Sequence, residues 1–327
     1  MTWWCTGIRW NDGRPAIGWC GEGFAERVSP LVYGQRLAFA GRGERRCLGV
    51  RRAGKRTACP TSVVVPGRVG NAQCPECARL DRSFSVAADT NAADPRTYRV
   101  YLAWFGPGLV KVGITAEERG SARLLEQAAV AWTWLGRGPL MAGRRTEELL
   151  RAALGVPDRI AYSRKRAVRG HLPPAAERAR EVAELYARAA ELPGWPESLE
   201  RLACEVTDHA EPFGLEAIGG PSMPDGPSMP DGPGGPGGLG GAPGPGVLDG
   251  PGGFGWVVTE MVDGGVVVGR LVGAAGPDLH LADGLVVDTR LLAGWQLTTP
   301  AAEAVTAVPF TGIPIASAPA AEQDGLF

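Results

Sequence analysis

The chain has 327 residues, of which 44% are hydrophobic, so it can build a sizeable core in one or two domains. No run of 18 apolar residues occurs, which argues against a membrane-spanning helix, and the first ten residues lack the pattern of a secretory signal. We therefore expect a cytoplasmic protein without a membrane partner. In that compartment seven cysteines indicate a metal site or free thiols rather than disulfides.

The net charge of −1 hides a strong asymmetry along the chain. Residues 1–204 carry 32 Lys and Arg against 20 Asp and Glu, a net charge of +12. Residues 205–327 carry 2 against 15, a net charge of −13. A basic body predicts a polyanionic partner, and the alternative is that the acidic part only serves solubility.

The first two thirds of the chain divide into three predicted units. Residues 1–46 predict a small β meander, in which Asp12-Gly13 is a hairpin signal. Residues 47–96 form a module that holds four cysteines, and residues 97–210 alternate strand and helix patterns. Helices are expected near 119–130, 144–154 and 174–192, with a further short one at 199–206.

The last third begins with a segment that cannot pack a core. Residues 211–253 predict a flexible Gly/Pro-rich linker, which contains Pro-Ser-Met-Pro-Asp-Gly twice in tandem. Residues 254–297 return to strand patterns and predict a small barrel-like β unit. Residues 298–327 are rich in Ala and Pro and predict a disordered tail. The whole pattern predicts the α+β class.

Four cysteines within 31 residues predict a metal site formed by Cys47, Cys59, Cys74 and Cys77. Cys74-Pro75-Glu76-Cys77 is a tight knuckle, and a hairpin that turns near Gly54 would supply the other two thiolates to a tetrahedral zinc ion. Four protein ligands leave no open position, so we expect a structural zinc. Incidental thiols, an iron–sulfur cluster and a redox pair at Cys74 and Cys77 are the alternatives.

The cysteine module is also the most basic part of the chain, which predicts contacts with nucleic acid, DNA ahead of RNA. Part of this charge could instead offset the thiolates. A second basic run follows in residues 159–169, for which a solvated loop is the alternative. The predicted nucleic-acid-binding residues are Arg51, Arg52, Lys55, Arg56, Arg164, Lys165 and Arg166.

Residues 98–127 contain two β-rich runs joined by Gly106-Pro107-Gly108, followed by a helix pattern. This unit resembles the core of the GIY-YIG nuclease superfamily. Tyr101 lies in the first motif, and Lys111-Val112-Gly113 takes the place of the second motif. The second motif departs from the family pattern, since Lys111 stands where the family has a tyrosine.

The GIY-YIG resemblance implies a metal-dependent endonuclease site. Tyr101 would belong to the network that activates water, with Lys111 beside it, and Arg123 would hold the phosphate. Glu147, ahead of an aliphatic pair, would bind one Mg²⁺ or Mn²⁺. Such a site has the general base, the cation and the metal that phosphodiester hydrolysis needs. The alternative is a non-catalytic zinc-dependent module that binds nucleic acid or protein, with the hairpin only as a scaffold.

Three further segments match a second pattern: Val112 to Thr115, Glu126 to Ala129, and Leu154 to Arg159. Together with the four cysteines, they resemble an uncharacterised prokaryotic family of the domain-of-unknown-function type, over most of residues 1–210. This resemblance implies that the metal module and the hairpin belong together. It implies no activity.

The chain ends in Gln323-Asp324-Gly325-Leu326-Phe327. This resembles the short peptide that binds the bacterial sliding clamp, which implies that Leu326 and Phe327 fill an apolar pocket and Gln323 bonds at its rim. Gly325 departs from the usual residue of that peptide. A tail without function, or one that docks on its own protein, is the alternative.

Overall fold

The computed structural model describes residues 2–22, 25–52, 55–83, 94–218 and 255–313. Its strands are β1 (Trp3–Asn11), β2 (Arg14–Gly21), β3 (Glu26–Pro30), β4 (Arg36–Arg42), β5 (Val50–Arg52), β6 (Lys55–Thr57), β7 (Thr97–Trp104), β8 (Val110–Ala116), β9 (Ala131–Pro139), β10 (Glu200–Arg201), β11 (Thr207–Asp208), β12 (Gly255–Val258), β13 (Val266–Ala275), β14 (Asp278–Leu281), β15 (Leu285–Asp288), β16 (Gln296–Thr298) and β17 (Phe310–Ile313). Its helices are α1 (Pro75–Ser83), α2 (Ala122–Glu126), α3 (Leu140–Leu154), α4 (Tyr162–Val168), α5 (Ala175–Ala190), α6 (Ala210–Phe213) and α7 (Thr289–Leu292). The α+β class is confirmed.

The N-terminal strands β1, β2 and β3 form an antiparallel sheet in that order. The predicted turn is present, because Asp12 and Gly13 both have positive φ between the paired residues Asn11 and Arg14. Two central residues with positive φ match the right-handed twist of the flanking strands. The sheet carries Arg9 on β1 and Glu26 on β3.

The core of the middle region is an antiparallel sheet in the order β10-β9-β7-β8, with β11 also paired to β9. The central strand β7 is buried on both faces, since Val100, Leu102 and Ala103 are fully inaccessible to solvent. Helices α3 and α5 pack against this sheet. The predicted helix at 199–206 is wrong, because β10 extends the sheet there by pairing with β9.

Seven strands form the sheet β16-β4-β13-β14-β15-β12-β17. Its strand β4 comes from the predicted N-terminal meander, and its residues 36–40 pair with residues 266–270 of β13. The N-terminal and C-terminal β regions therefore share one sheet, which the sequence did not indicate. Strand β17 also belongs to this sheet, although we expected disorder from residue 298 onward. Its neighbour Val308 is buried in the apolar core, which gives this segment a reason to fold.

A buried ion network joins helix α4 to the seven-stranded sheet. Asp278 has no solvent exposure and accepts hydrogen bonds from Arg166 Nη2 at 2.6 Å and Arg169 Nη1 at 2.9 Å. Arg166 also donates to Asp288 at 2.8 Å. The middle and C-terminal regions are thus held together by charges that would be costly to leave unpaired.

Within the predicted linker, residues 210–213 form α6 and residues 215–217 a 3-10 turn, whereas residues 219–253 lie outside the described part of the chain. The C-terminal peptide with Gln323, Leu326 and Phe327 also lies outside it. Among the described helices, none has the length and apolar character that crossing a bilayer requires.

Candidate metal centre and basic cleft

The four predicted cysteine ligands converge on one buried point. Their Sγ atoms all lie within 4.8 Å of one another, and Cys59 Sγ and Cys74 Sγ are 3.9 Å apart. Tetrahedral zinc with Zn–S bonds of about 2.3 Å places its sulfurs about 3.8 Å apart. The set of four buried thiols therefore fits a metal ion and is consistent with structural zinc.

The local backbone explains how Cys47 is presented to this point. The N–H groups of Gly49 and Cys74 donate to Cys47 Sγ at 3.4 Å and 3.2 Å, which favours a thiolate. Gly49 has a φ of +72°, and a Cβ there would collide with the carbonyl of Thr57. A glycine is therefore required at the turn that lets Cys47 face the other sulfurs.

The predicted hairpin between Cys47 and Cys59 is confirmed. Strands β5 and β6 pair antiparallel, with Val50 opposite Thr57 and Arg52 opposite Lys55. Cys74 immediately precedes α1, and Pro75 is its first residue, where proline is well tolerated. The four-cysteine cluster thus joins a two-stranded hairpin to a short helix, and because both elements are too small to fold alone, a metal ion held by the cluster would stabilise them.

Arg45 anchors this module to the seven-stranded sheet region. Its side chain is almost fully buried and donates to the carbonyl oxygens of Pro66 and Val69 on one side and of Arg290 and Ala293 on the other. Burial lowers the pKa of Arg45 to about 10. The guanidinium is held by carbonyl dipoles instead of a carboxylate, so its role is structural.

A cleft of about 870 Å³ lies where the N-terminal sheet, the cysteine module, the middle region and the C-terminal sheet meet. Among the residues that the structure describes, the acidic members of its lining are Asp81, Glu126 and Asp158. The basic residues of the lining are Arg9, Arg51, Arg56, Lys111, Arg123, Arg159, Lys165 and Arg290. A concave surface with this excess of positive charge attracts anions.

The predicted nucleic-acid-binding residues of the cysteine module divide into two groups. Arg51 and Arg56 line the cleft, and Glu26 lies 3.3 Å from Arg51 Nη2 and 3.6 Å from Arg56 Nε. Lys55 is exposed and lies outside the cleft. The side chain of Arg52 lies outside the described part of the structure.

The second basic run is a helix, α4, and not the solvated loop that was the alternative. Lys165 is buried and lines the cleft, with Nζ 2.9 Å from the carbonyl oxygen of Gln127 and 3.7 Å from the ring centre of Phe105. Arg166 instead points to the Asp278 network, so the structure gives it an intramolecular partner in place of a phosphate. Arg164 is exposed and outside the cleft.

The hairpin β7–β8 brings the motif residues together. Tyr101 pairs with Gly113, and a Cβ at Gly113 would collide with the Tyr101 phenol, so only glycine leaves room for this ring. Tyr101 is 1% exposed, and its hydroxyl accepts a hydrogen bond from Gln127 Nε2 at 2.9 Å. Lys111 Nζ lies 5.7 Å from the Tyr101 ring centre.

Two further matched segments fold onto this hairpin. Pro157 accepts a hydrogen bond from the Val112 N–H at 3.1 Å, and the Asp158 carbonyl accepts one from Lys111 Nζ at 3.1 Å. Gln127, from the other segment, bonds to Tyr101 as described above. The segments that the sequence pattern linked thus surround one site.

Charges interact strongly at this site. Burial first, and then the charge of Arg123, lowers the pKa of Lys111 to about 8. Burial raises the pKa of Glu147 to about 7, and the charge of Lys111 opposes that rise. Burial also raises the pKa of Tyr101 despite the charge of Arg123. The four predicted residues therefore lie within electrostatic reach of one another, although Tyr101 is too buried to meet solvent.

Sequence reasoning missed two cations of the cleft, Arg9 on β1 and Arg290 on α7. Arg290 donates to both carboxylate oxygens of Asp288, and its guanidinium lies 4.4 Å from the ring centre of Tyr162. Neither arginine belongs to a motif, and they are separated by almost the entire chain. No sequence signal could have placed them together.

No curated protein and no solved structure matches the chain. A family model matches residues 34–223, which are 190 of the 327 residues. This segment contains the four cysteines, the β7–β8 hairpin and both segments that pack on it, so the expected resemblance to a family of this type is confirmed. Because the match covers more than half of the chain, the protein belongs to the family described as protein of unknown function, DUF2797.

Proposed function

We propose that this protein binds nucleic acid in the basic cleft. The observation that carries the proposal is the lining of eight basic and three acidic residues around a single concavity. Nucleic-acid affinity comes mostly from phosphate neutralisation and counterion release, which need this kind of charge excess. Four structural regions contribute to the lining, so the cleft belongs to the assembled fold.

The cysteine centre has a defined part in this proposal. Arg51 and Arg56 lie on the short hairpin between Cys47 and Cys59. A bound zinc ion would fix that hairpin against the N-terminal sheet and keep both guanidinium groups at the cleft. The metal would act through structure only, since its four thiolates leave no position for a substrate.

Salt-dependent binding of fluorescent oligonucleotides tests the proposal. Arg123→Ala has a matched control in Arg119→Ala, because Arg119 and Arg123 are about equally exposed and both pair with Glu126, but only Arg123 lines the cleft. We expect Arg123→Ala to weaken binding about tenfold and Arg119→Ala to change it little. Equal effects, or a wild-type protein that binds neither DNA nor RNA, would refute the proposed cleft.

Phosphodiester hydrolysis is the second candidate function, and a specific arrangement favours it. The central strand β7 lies between β8 and β9, with Tyr101 and Lys111 on the hairpin, Arg123 on α2 and Glu147 on α3. This is the order of parts that the GIY-YIG resemblance implies. The accessible members would be Arg123, which would hold the phosphate, and Lys111.

Lys111 changes the roles that the resemblance implies. With its pKa lowered to about 8, an appreciable fraction of its amine is neutral near pH 8 and can accept a proton from water. The raised pKa of Tyr101 disfavours a phenolate, so in this proposal Tyr101 positions its neighbours and Lys111 is the base. The pKa of Glu147 is raised because its half-buried carboxylate is poorly solvated.

In this proposal Glu147 would hold a divalent cation, because Mg²⁺ is often held by one or two carboxylates together with substrate phosphates. Burial is the main cause of the raised pKa of Glu147, and the negative charge of Asp158 adds to it. A bound ion would supply charge stabilisation to the leaving oxygen. The ammonium form of Lys111 would compete with the ion for the same carboxylate.

Cleavage assays separate this second candidate from binding alone. Branched, single-stranded and duplex substrates are incubated with Mg²⁺ or Mn²⁺, and Glu147→Gln is compared with its exposed neighbour Glu148→Gln. We expect cleavage to be lost with Glu147→Gln and Arg123→Ala and kept with Glu148→Gln. Cleavage that survives both Glu147→Gln, which lies outside the cleft lining, and Arg123→Ala would sink the site, and tight binding without any cleavage would leave binding as the function.

A further inference from the structure

Three arginines gather at one end of the cleft from three different strands. Arg9 lies on β1, Arg51 on β5 and Arg56 on β6, and all three line the cavity. They face a single carboxylate, Glu26 of β3, at 3.3 Å from Arg51 and 3.6 Å from Arg56. Among the described residues, no carboxylate lies within 4.0 Å of Arg9.

The charges of this arginine triad are only partly balanced by the described carboxylates. Among the described residues, Glu26 is the one carboxylate paired with the triad, and Glu126 adds a longer-range attraction to Arg9. Burial first, and then the charges of Arg51 and Arg56, lowers the pKa of Arg9, which reports their mutual repulsion. The N-terminal sheet and the cysteine module hold the groups together against this repulsion. An anion placed between them would remove it.

The triad is continuous with the Arg123 end of the cleft. Strand β1 packs beside α2, which carries Arg123. Glu126, at the end of the same helix, lies 3.5 Å from Arg123 and close enough to influence Arg9 electrostatically. One wall therefore joins two groups of cations, and both groups line the same cavity of about 870 Å³.

We infer that Arg9, Arg51 and Arg56 form a second phosphate subsite, so that the ligand of the cleft is a single nucleic-acid strand whose phosphates run from this triad to Arg123. This inference rests on the proposed function and specifies its ligand. Two cation groups inside one concavity fit a flexible strand, because proteins that bind single strands follow the backbone along a positively charged groove.

The lining also predicts how the strand is recognised. Tyr162 is the aromatic residue of the lining, and Lys165 and Arg290 lie 4.6 Å and 4.4 Å from its ring centre. Its ring is thus already packed against cations and is a poor platform for a base. Binding should therefore depend on phosphates, with little sequence preference and a steep salt dependence.

The test uses the full-length zinc-loaded protein and fluorescent oligothymidylates of about 2 to about 16 nucleotides, measured by anisotropy over a salt series. Arg9→Gln is compared with Arg14→Gln, an exposed arginine of the same sheet outside the cleft. Arg51→Gln is compared with Arg46→Gln, since both arginines are exposed and pair with a glutamate, but only Arg51 lines the cleft. Circular dichroism and zinc content check that each variant is folded.

We expect Arg9→Gln and Arg51→Gln to bind long oligonucleotides about tenfold more weakly than wild type. The plot of the logarithm of the binding constant against the logarithm of the salt concentration should become less steep, by about 0.7 for each lost phosphate contact. The two controls should keep the wild-type slope. Dinucleotides, which reach only one subsite at a time and can still bind at the Arg123 end, should lose less affinity on Arg9→Gln than long oligonucleotides do.

Failure of the inference is distinguishable from failure of the proposed function. If wild type binds oligonucleotides but Arg9→Gln and Arg51→Gln keep its slope and affinity, the triad is refuted and the cleft stands. A duplex that competes as well as the single strand overturns the single-strand assignment. A wild-type protein that binds no oligonucleotide overturns the proposed function and this inference together.

Discussion

Asp278 offers the sharpest test of how the two halves of the fold are joined. We consider Asp278→Asn, which removes the charge and preserves the size of the side chain. Asp278 is completely buried, and it accepts from Arg166 at 2.6 Å and 3.0 Å and from Arg169 at 2.9 Å. After the substitution Arg166 keeps the carboxylate of Asp288, but Arg169, which is 3% exposed, has no carboxylate partner left among the described residues.

The expected loss of stability follows from the buried guanidinium of Arg169, which the substitution leaves without a carboxylate. Removing one partner of a buried ion pair destabilises proteins by about 3–5 kcal/mol, because the remaining charge stays buried and uncompensated. A domain has about 5–15 kcal/mol of stability in total, so this loss would be large. The exposed pair of Arg180 and Glu184 gives the matched control, since breaking it with Glu184→Gln should cost less than about 1 kcal/mol.

Urea unfolding followed by fluorescence and circular dichroism measures both effects at pH 7. The pH dependence adds a second criterion. Burial raises the pKa of Asp278, but the hydrogen bonds of Arg166 and the charge of Arg169 outweigh it, and the pKa lies below its usual value. The stabilisation is therefore present above about pH 4 and is lost as the pH falls through the lowered pKa.

The difference in the free energy of unfolding between wild type and Asp278→Asn should therefore have its full value at pH 7 and become smaller below about pH 4. A loss no larger than that of Glu184→Gln would refute the argument that this network joins α4 to the C-terminal sheet. A large loss that does not change with pH would show that packing, and not charge, is responsible.

Three other outcomes are expected. The purified protein should contain about one zinc per chain by mass spectrometry, and Cys77→Ser should lose the metal and lower the melting temperature; an intact fold without metal would contradict the centre. Lys111→Met should be more stable than wild type by up to about 3 kcal/mol at pH 7, because the pKa of Lys111 is lowered from 10.5 to about 8. Because Lys111 of the folded wild type loses its proton as the pH rises above 8, the stability advantage of Lys111→Met in urea unfolding should decrease toward pH 10. Lys55→Met, at an exposed position, should show the wild-type free energy of unfolding throughout. If the C-terminal peptide binds a bacterial sliding clamp, deleting Leu326 and Phe327 should abolish clamp pull-down, and unchanged pull-down would rule the peptide out.

The cysteine centre was predictable because its determinants are local. Cys74 and Cys77 are separated by two residues, and Cys47 and Cys59 flank a hairpin that the intervening sequence already indicated. Short loops cost little entropy to close, so such spacing nearly fixes the geometry. The β7–β8 hairpin was readable for the same reason, and with it the approach of Tyr101 to Lys111.

The sequence showed that the cysteine module and the run at residues 159–169 are basic, but it did not show which partner each basic side chain would contact. Lys165 and Arg166 are neighbours in a basic run, and both were predicted to bind nucleic acid. The helix α4 turns Lys165 toward the cleft and Arg166 toward Asp278, which lies 112 residues further along the chain. Adjacent residues of a helix point in different directions, and what each one meets depends on which surface packs there.

By itself, the sequence determined the α+β class, the four cysteines that converge on one buried point, the hairpin that carries the candidate site and an excess of positive charge in the first 204 residues. Only the tertiary structure decided that β4 pairs with β13, some 230 residues later in the chain, and that Arg9 and Arg290 share a cleft with Arg123. Local patterns encode backbone preference and face polarity, which act over a few residues. Long-range pairing is chosen by which surfaces bury each other best, and no short motif records that choice.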